Sequence, residues 1–140
     1  MKLLVLAIGK IKSKPLAELA ADYAARLGHY VTFENVACRD EAAALAKLTP
    51  ADRFVVLDAK GKQYASEGLA ALLAEHQGRG TKRLVFFIGG PEGVGEKVCA
   101  RAHEFLSLSK MTLPHELAQV VLLEQLYRAM TILKGEPYHK

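Results

Sequence analysis

With 140 residues, 51% of them hydrophobic and 24% charged, the chain is long enough for one hydrophobic core and has the composition of a soluble globular domain. No run approaches the eighteen or so apolar residues of a membrane span, and Cys38 and Cys99 stand far apart with neither a CxxC pair nor a histidine cluster beside them. A reduced, cytoplasmic protein without disulfide, metal or membrane partner is therefore expected, and a net charge of +4 adds only a mild lean towards anionic partners.

In chain order, residues 3–8 form an apolar run too short for the core of a signal peptide, with no small-residue cleavage site behind it. It reads as a buried strand ending at Gly9. Pro15 suits the first turn of a helix that carries Leu16, Leu19, Ala20, Tyr23 and Leu27 at helical spacing and stops at Gly28. Residues 30–36 alternate like a half-exposed strand, and the alanine-rich stretch 41–48 predicts a helix closed by Thr49 and Pro50.

The cycle then repeats. Residues 54–57 predict a buried strand ending at Asp58, and Ser66 is placed to cap a helix running to about His76, with Gly78 and Gly80 beyond it. Further on come a strand at 84–88, a helix from Val94 to about His103, a short strand at 105–108 and a long helix at 114–133. Strands alternating with helices predict an α/β fold: a mostly parallel sheet with helices on both faces, as one domain over residues 1–140.

The last helix is apolar around most of its circumference, from Leu117 through Val121, Leu126 and Met130 to Leu133. Such a helix must be covered on more than one side, which predicts a homodimer, with burial inside its own chain as the alternative.

Three stretches carry the candidate chemistry. FFIGGPEGVG, residues 86–95, follows a strand and precedes a helix, the setting of ligand loops in α/β sheets. Its spacing fails both phosphate fingerprints. Counted from Gly89, the second and third glycines of G-x-G-x-x-G are replaced by Pro91 and Val94, and Glu96 stands where a Walker loop needs lysine. With Glu92 adding negative charge, the loop suits a ligand without phosphates, or else serves only as a tight turn.

LSLSKMTLP, residues 106–114, sets small hydroxyl residues and backbone groups among Leu and Met, a plausible seat for a flat heterocycle. The tail GEPYHK ends in Tyr138, His139 and Lys140, an unusual composition for a segment that is normally frayed. Basic residues gather at Lys10, Lys12 and Lys14 and at Arg79, Lys82 and Arg83, either as solvated faces or as a track for an RNA backbone. His29, His76 and His103 fall at element ends, whereas His115 adjoins both candidate loops.

Taken together, FFIGGPEGVG, LSLSKMTLPHELAQVVLLEQLYRA and the terminal PYHK resemble the RlmH family, SPOUT-class 23S rRNA (pseudouridine1915-N3)-methyltransferases. The resemblance spans essentially the whole chain and is most specific over residues 86–140; the stretch from Val36 to Asp52 carries no motif of the family. It implies a SPOUT-type α/β fold with a C-terminal trefoil knot, a homodimer, and S-adenosylmethionine (AdoMet) bound in the knot. AdoMet has no phosphate and carries a sulfonium charge, which suits a loop containing Glu92.

Carried over by position, the resemblance makes Leu57, Gly89, Leu108, Ser109, Lys110, Met111, Thr112 and Leu113 the AdoMet-binding residues. The acceptor it implies, N3 of a pseudouridine, must lose a proton or have its anion stabilised. His139 is the candidate base, Arg128 and Lys140 are candidate charge stabilisers, and Tyr138 is a positioning group. His115, Lys10, Lys12 and Lys140 are the candidates for contact with substrate RNA, in the large subunit or the assembled ribosome. The rival readings are a SPOUT-type enzyme acting on another RNA and a non-catalytic ribosome-binding module, which AdoMet calorimetry separates.

Overall fold

Residues 3–7 are buried on both faces, as an apolar run with no alternation requires of a central parallel strand. The computed structural model describes residues 1–139. This run belongs to β1 (Lys2–Ile8), which is followed by α1 (Lys14–Leu27), β2 (Thr32–Cys38), α2 (Glu41–Leu45), β3 (Arg53–Gln63), α3 (Ser66–Gly78), β4 (Arg83–Ile88), α4 (Glu96–Arg101), β5 (Glu104–Ser107) and α5 (His115–Leu133). A 3-10 turn, Pro137–His139, ends the described chain.

The strands form one parallel sheet in the order β2-β1-β4-β3-β5. Alternate side chains divide two cores. Leu3, Val5, Val55 and Phe86 face α1, α3 and α5, while Leu4, Leu6, Phe54, Val56 and Phe87 face α2 and α4. The predicted helices on both faces are present.

Much of the broad apolar surface of α5 is covered within its own chain. It buries Val120, Leu122, Leu123, Leu126, Ala129 and Met130 against the sheet, α1 and α3, and none of its residues is exposed. Packing in the same chain accounts for this part of the pattern, while Leu117, Val121, Tyr127, Ile132 and Leu133 are only partly buried.

Two expectations are corrected. Ser66 does not cap α3: Ala65 holds that position without a side-chain bond, and Ser66 Oγ donates to Gln125 Oε1 at 2.8 Å, tying α3 to α5. The third strand does not stop at Leu57. After it, residues 58–61 leave the sheet, and the chain returns to pair Lys62 with Leu106 and Gln63 with Ser107. Leu106 is also the partner of Leu57. A strand residue offers two edges, so Leu106 has Leu57 on one and Lys62 on the other. Gly61 permits the wrap, because a Cβ there would lie 2.7 Å from the Phe105 carbonyl carbon.

Candidate functional site

β3, β4 and β5 are neighbours, so the loops at their carboxyl ends converge on one cavity of about 580 Å³ beside the start of α5. Of the predicted cofactor residues, Leu57, Gly89, Leu108, Ser109, Met111, Thr112 and Leu113 line it, as does His115; Lys110 is exposed and does not. Three segments distant in sequence thus meet at the carboxyl edge of a parallel sheet.

The glycine loop is a tight reverse turn. Gly93 N–H donates to the Gly90 carbonyl at 3.1 Å, Pro91 holds the second turn position, and Gly93 has φ +88. Glu92 sits exposed at the tip and does not line the cavity. At Gly89 a Cβ would stand 2.7 Å from the Gly93 carbonyl oxygen, so the turn closes against a bare backbone.

A residue outside the cavity steadies this loop. Glu41, in the first turn of α2, accepts the Gly95 N–H at 2.9 Å. On the opposite wall, Ser107 Oγ donates to the Ser109 carbonyl at 3.1 Å, and Ser109 Oγ accepts the Met111 N–H at 2.9 Å. These bonds bend the segment so that Met111 stands 79% exposed at the mouth.

Sequence reasoning missed Asp58, Ala59 and Lys60, which line the cavity where β3 leaves the sheet. The polar run from Lys60 to Gln63 looks like an ordinary turn; the one signal in it is Gly61, a glycine inside a strand.

Lys10 and Lys12 are exposed on the β1–α1 loop. That loop is drawn to the start of α5 by Glu116, whose Oε1 accepts the Ser13 N–H at 3.0 Å. Backbone N–H groups of Ser13 and Lys12, helped by the charges of His115 and Lys12, hold the Glu116 carboxyl below its usual range. The second basic group is less free than its sequence suggests. Arg79 pairs with Glu75, and Arg83 forks onto Asp52 at 2.9 and 2.5 Å, leaving Lys82 exposed.

The tail is docked rather than frayed. Tyr30 donates its hydroxyl to Glu136, and Tyr138 donates to Glu124 Oε2 at 3.0 Å while its ring meets Tyr127 edge-on at 4.6 Å. Arg128 pairs with the same Glu124 at 2.7 Å and lies 4.9 Å from the Tyr138 ring centroid. Burial, then Tyr23 and Glu124, push the Tyr138 phenol far above its usual pKa, so it is a donor rather than a base. The backbone of His139 closes the 3-10 turn; its side chain, and all of Lys140, lie outside what is described.

Arg128 and Tyr138 do not line the cavity. At about 1.5 Å per helical residue, Arg128 is roughly 20 Å along α5 from His115. A single chain therefore brings the cofactor candidates other than Lys110 together and leaves Arg128 and Tyr138 elsewhere.

The fold and the sequence have known counterparts. A relative from Anaeromyxobacter dehalogenans (strain 2CP-C), named Ribosomal RNA large subunit methyltransferase H, is 44% identical over 154 residues covering 100% of both chains. One of the same name from Koribacter versatilis (strain Ellin345) is 45% identical over 143 residues, covering 99% of this chain and 98% of its own. The solved structure of a probable methylase family protein from Haemophilus influenzae Rd KW20 matches with a TM-score of 0.59 at 12% identity, over 99% of this chain and 70% of that one, and speaks for the fold alone. The family profile described as "Predicted SPOUT methyltransferase" matches residues 1–139, and with it and these relatives the chain belongs to the SPOUT methyltransferases, in the branch of the large-subunit methyltransferase H proteins.

Proposed function

We propose that this protein transfers the methyl group of AdoMet to N3 of pseudouridine 1915 in 23S ribosomal RNA, within the large subunit or assembled ribosome, as a cytoplasmic homodimer of single-domain protomers. The observation that carries the proposal is the cavity lined by Leu57, Gly89, Leu108, Ser109 and residues 111–113, in a chain that is 44% identical from end to end to a protein named for large-subunit ribosomal RNA.

The residues fit the cofactor. A cavity of about 580 Å³ is of small-molecule size. Leu57, Leu108 and Leu113 supply apolar walls for a flat base, the bent 107–111 segment supplies backbone groups for its edge, and Asp58 adds a carboxylate suited to a cationic ligand. When bound, AdoMet brings a methyl group already activated by its sulfonium. The chain's task is then to hold donor and acceptor in line and to manage the N3 proton.

For that proton we assign His139 as base, with Arg128 and Lys140 stabilising the developing anion and Tyr138 positioning the substrate. Glu124 holds Arg128 and Tyr138 in one constellation. The distance from this constellation to the cavity supports a site completed by the tail of a second protomer, with His115, Lys10 and Lys12 along its RNA-facing rim. Residues 58–63, passing from one edge of β5 to the other, support a knotted C-terminal segment, a rare topology.

Deleting residues 135–140 should abolish methylation of ribosomes while calorimetry finds AdoMet affinity within about twofold of the full chain. Full activity in the truncated protein would refute the assignment of the tail. Mass mapping of 23S ribosomal RNA from cells with and without the protein tests the target itself, which fails if pseudouridine 1915 carries its methyl group in both.

A further inference from the structure

A second cavity, of about 280 Å³, lies at the other end of the strands, where Arg53 opens β3 and His103 and Glu104 lead into β5. Lys62 and Tyr64 reach it from the far edge of β5, and Glu75, His76 and Arg79 reach it from α3. It shares no lining residue with the cofactor cavity.

Its charges are unbalanced. Both acids are already engaged, Glu75 by Arg79 and Glu104 by the Tyr64 hydroxyl. Arg53 is not: among the described residues it makes no ion pair, and its Nε is buried without an acceptor. A buried guanidinium N–H left without a partner is costly, and an anion would satisfy it.

The two histidines add donors. His103 accepts the Phe54 N–H at Nδ1, at 2.9 Å, so its own proton is on Nε2. Buried His76 has Nδ1 3.1 Å from Thr81 Oγ1. Burial lowers the pKa of both imidazoles, reinforced by Arg79 and Arg53 at His76 and by Arg53 and Arg101 at His103. The lining sets Arg53, Lys62 and Arg79 against the carboxylates of Glu75 and Glu104, an excess of one positive charge, and Arg53 is the cation that neither carboxylate engages.

We propose that this cavity binds an oxyanion of the phosphate class, anchored by Arg53, with His103, His76 and Lys62 as further donors. Its volume takes a single phosphate group and is below the range usual for a whole drug-sized ligand. The phosphate can come free from solution or from the backbone of an RNA. Binding of free phosphate is independent of what the cofactor cavity methylates; only the RNA source rests on the function proposed above.

The full chain is titrated with inorganic phosphate at pH 7 and constant ionic strength, following the His76 and His103 ring resonances and measuring affinity by calorimetry. Saturable shifts of both rings are expected, with affinity falling at least about tenfold in Arg53→Gln. In parallel, a short RNA hairpin is titrated over a range of salt; if its backbone fills the site, Arg53→Gln reduces the salt slope by about one. AdoMet affinity should be unchanged in that variant. Should Arg53→Gln fail to fold, Lys62→Ala, altered at an exposed side chain, carries the test with a several-fold loss. Saturation by phosphate supports a free-anion site, an Arg53-dependent RNA slope alone supports a backbone subsite, and neither response overturns the proposal.

Discussion

At Gly89 a single added carbon decides the outcome. Its nearest neighbour would be the Gly93 carbonyl at 2.7 Å, and backbone cannot swing aside as a flexible side chain can. Gly89→Ala should cost about 1–3 kcal/mol of stability, read as a lower urea midpoint, and raise the AdoMet dissociation constant at least about tenfold in calorimetry. Loop spacing in the sequence excluded the phosphate fingerprints and left ligand site and tight turn both open; Gly89 itself was singled out by the family resemblance. His76 was not legible in this way. It reads as a polar residue at a helix end, yet the fold buries it. Its pKa and that of His103 are depressed, chiefly by burial, so the unfolded chain binds more protons than the native one below about pH 6.5. Their contribution is complete above that pH and is lost as pH falls towards the depressed native values. In phosphate-free buffer the urea midpoint should therefore drop between pH 7.5 and 5.5, and the drop should shrink in His76→Gln. An equal drop in that variant would place the effect elsewhere.

Elements were legible where hydrophobic periodicity alone defines them. β1 and β4 are continuous apolar runs, and α5 could hardly be anything but a long helix. The failures came where a tertiary bond outranked a local signal. Ser66 looks like a cap because its hydroxyl could serve its own helix, but Gln125 claims it. β3 continues beyond Leu57 because β5 offers a second edge to pair with, a partner no local pattern reveals. The convergence of the 86–95 and 106–114 loops was likewise carried by resemblance, since strand order is not written in either segment. α2 shows what a short element can do at a distance. It spans only residues 41–45, yet Glu41 holds the Gly95 amide and so the trailing end of the glycine turn. Glu41→Ala should loosen that turn, weakening AdoMet binding about three- to tenfold with little change in the melting temperature. Unchanged affinity by calorimetry would mean that the turn is rigid without its tether.

For the whole molecule, the separation of cavity and tail makes the oligomer a functional question. A mixture of two defective proteins tests it: one lacks residues 135–140, and the other carries Gly89→Ala. If the tail acts on the partner's cavity, mixed dimers contain one complete site, and activity should return to a sizeable fraction of the native level. If the tail acts within its own chain, no mixed dimer has a complete site and activity stays absent. Sedimentation of the intact chain, expected at twice 15.3 kDa, checks the assembly directly. The sheet sets a further condition on any such assembly. Open sheets ordinarily have two borders at which another chain could add a strand. Here Leu106 is already paired on both sides, so the β5 border is sealed by the chain's own residues 62–63. The remaining border is β2, a strand with exposed Thr32, Glu34 and Asn35 and a Lys2–Glu34 ion pair alongside it. Among the described residues, unwanted strand-to-strand aggregation has that one guarded side to grow from, which leaves the helical faces for the proposed pairing of protomers.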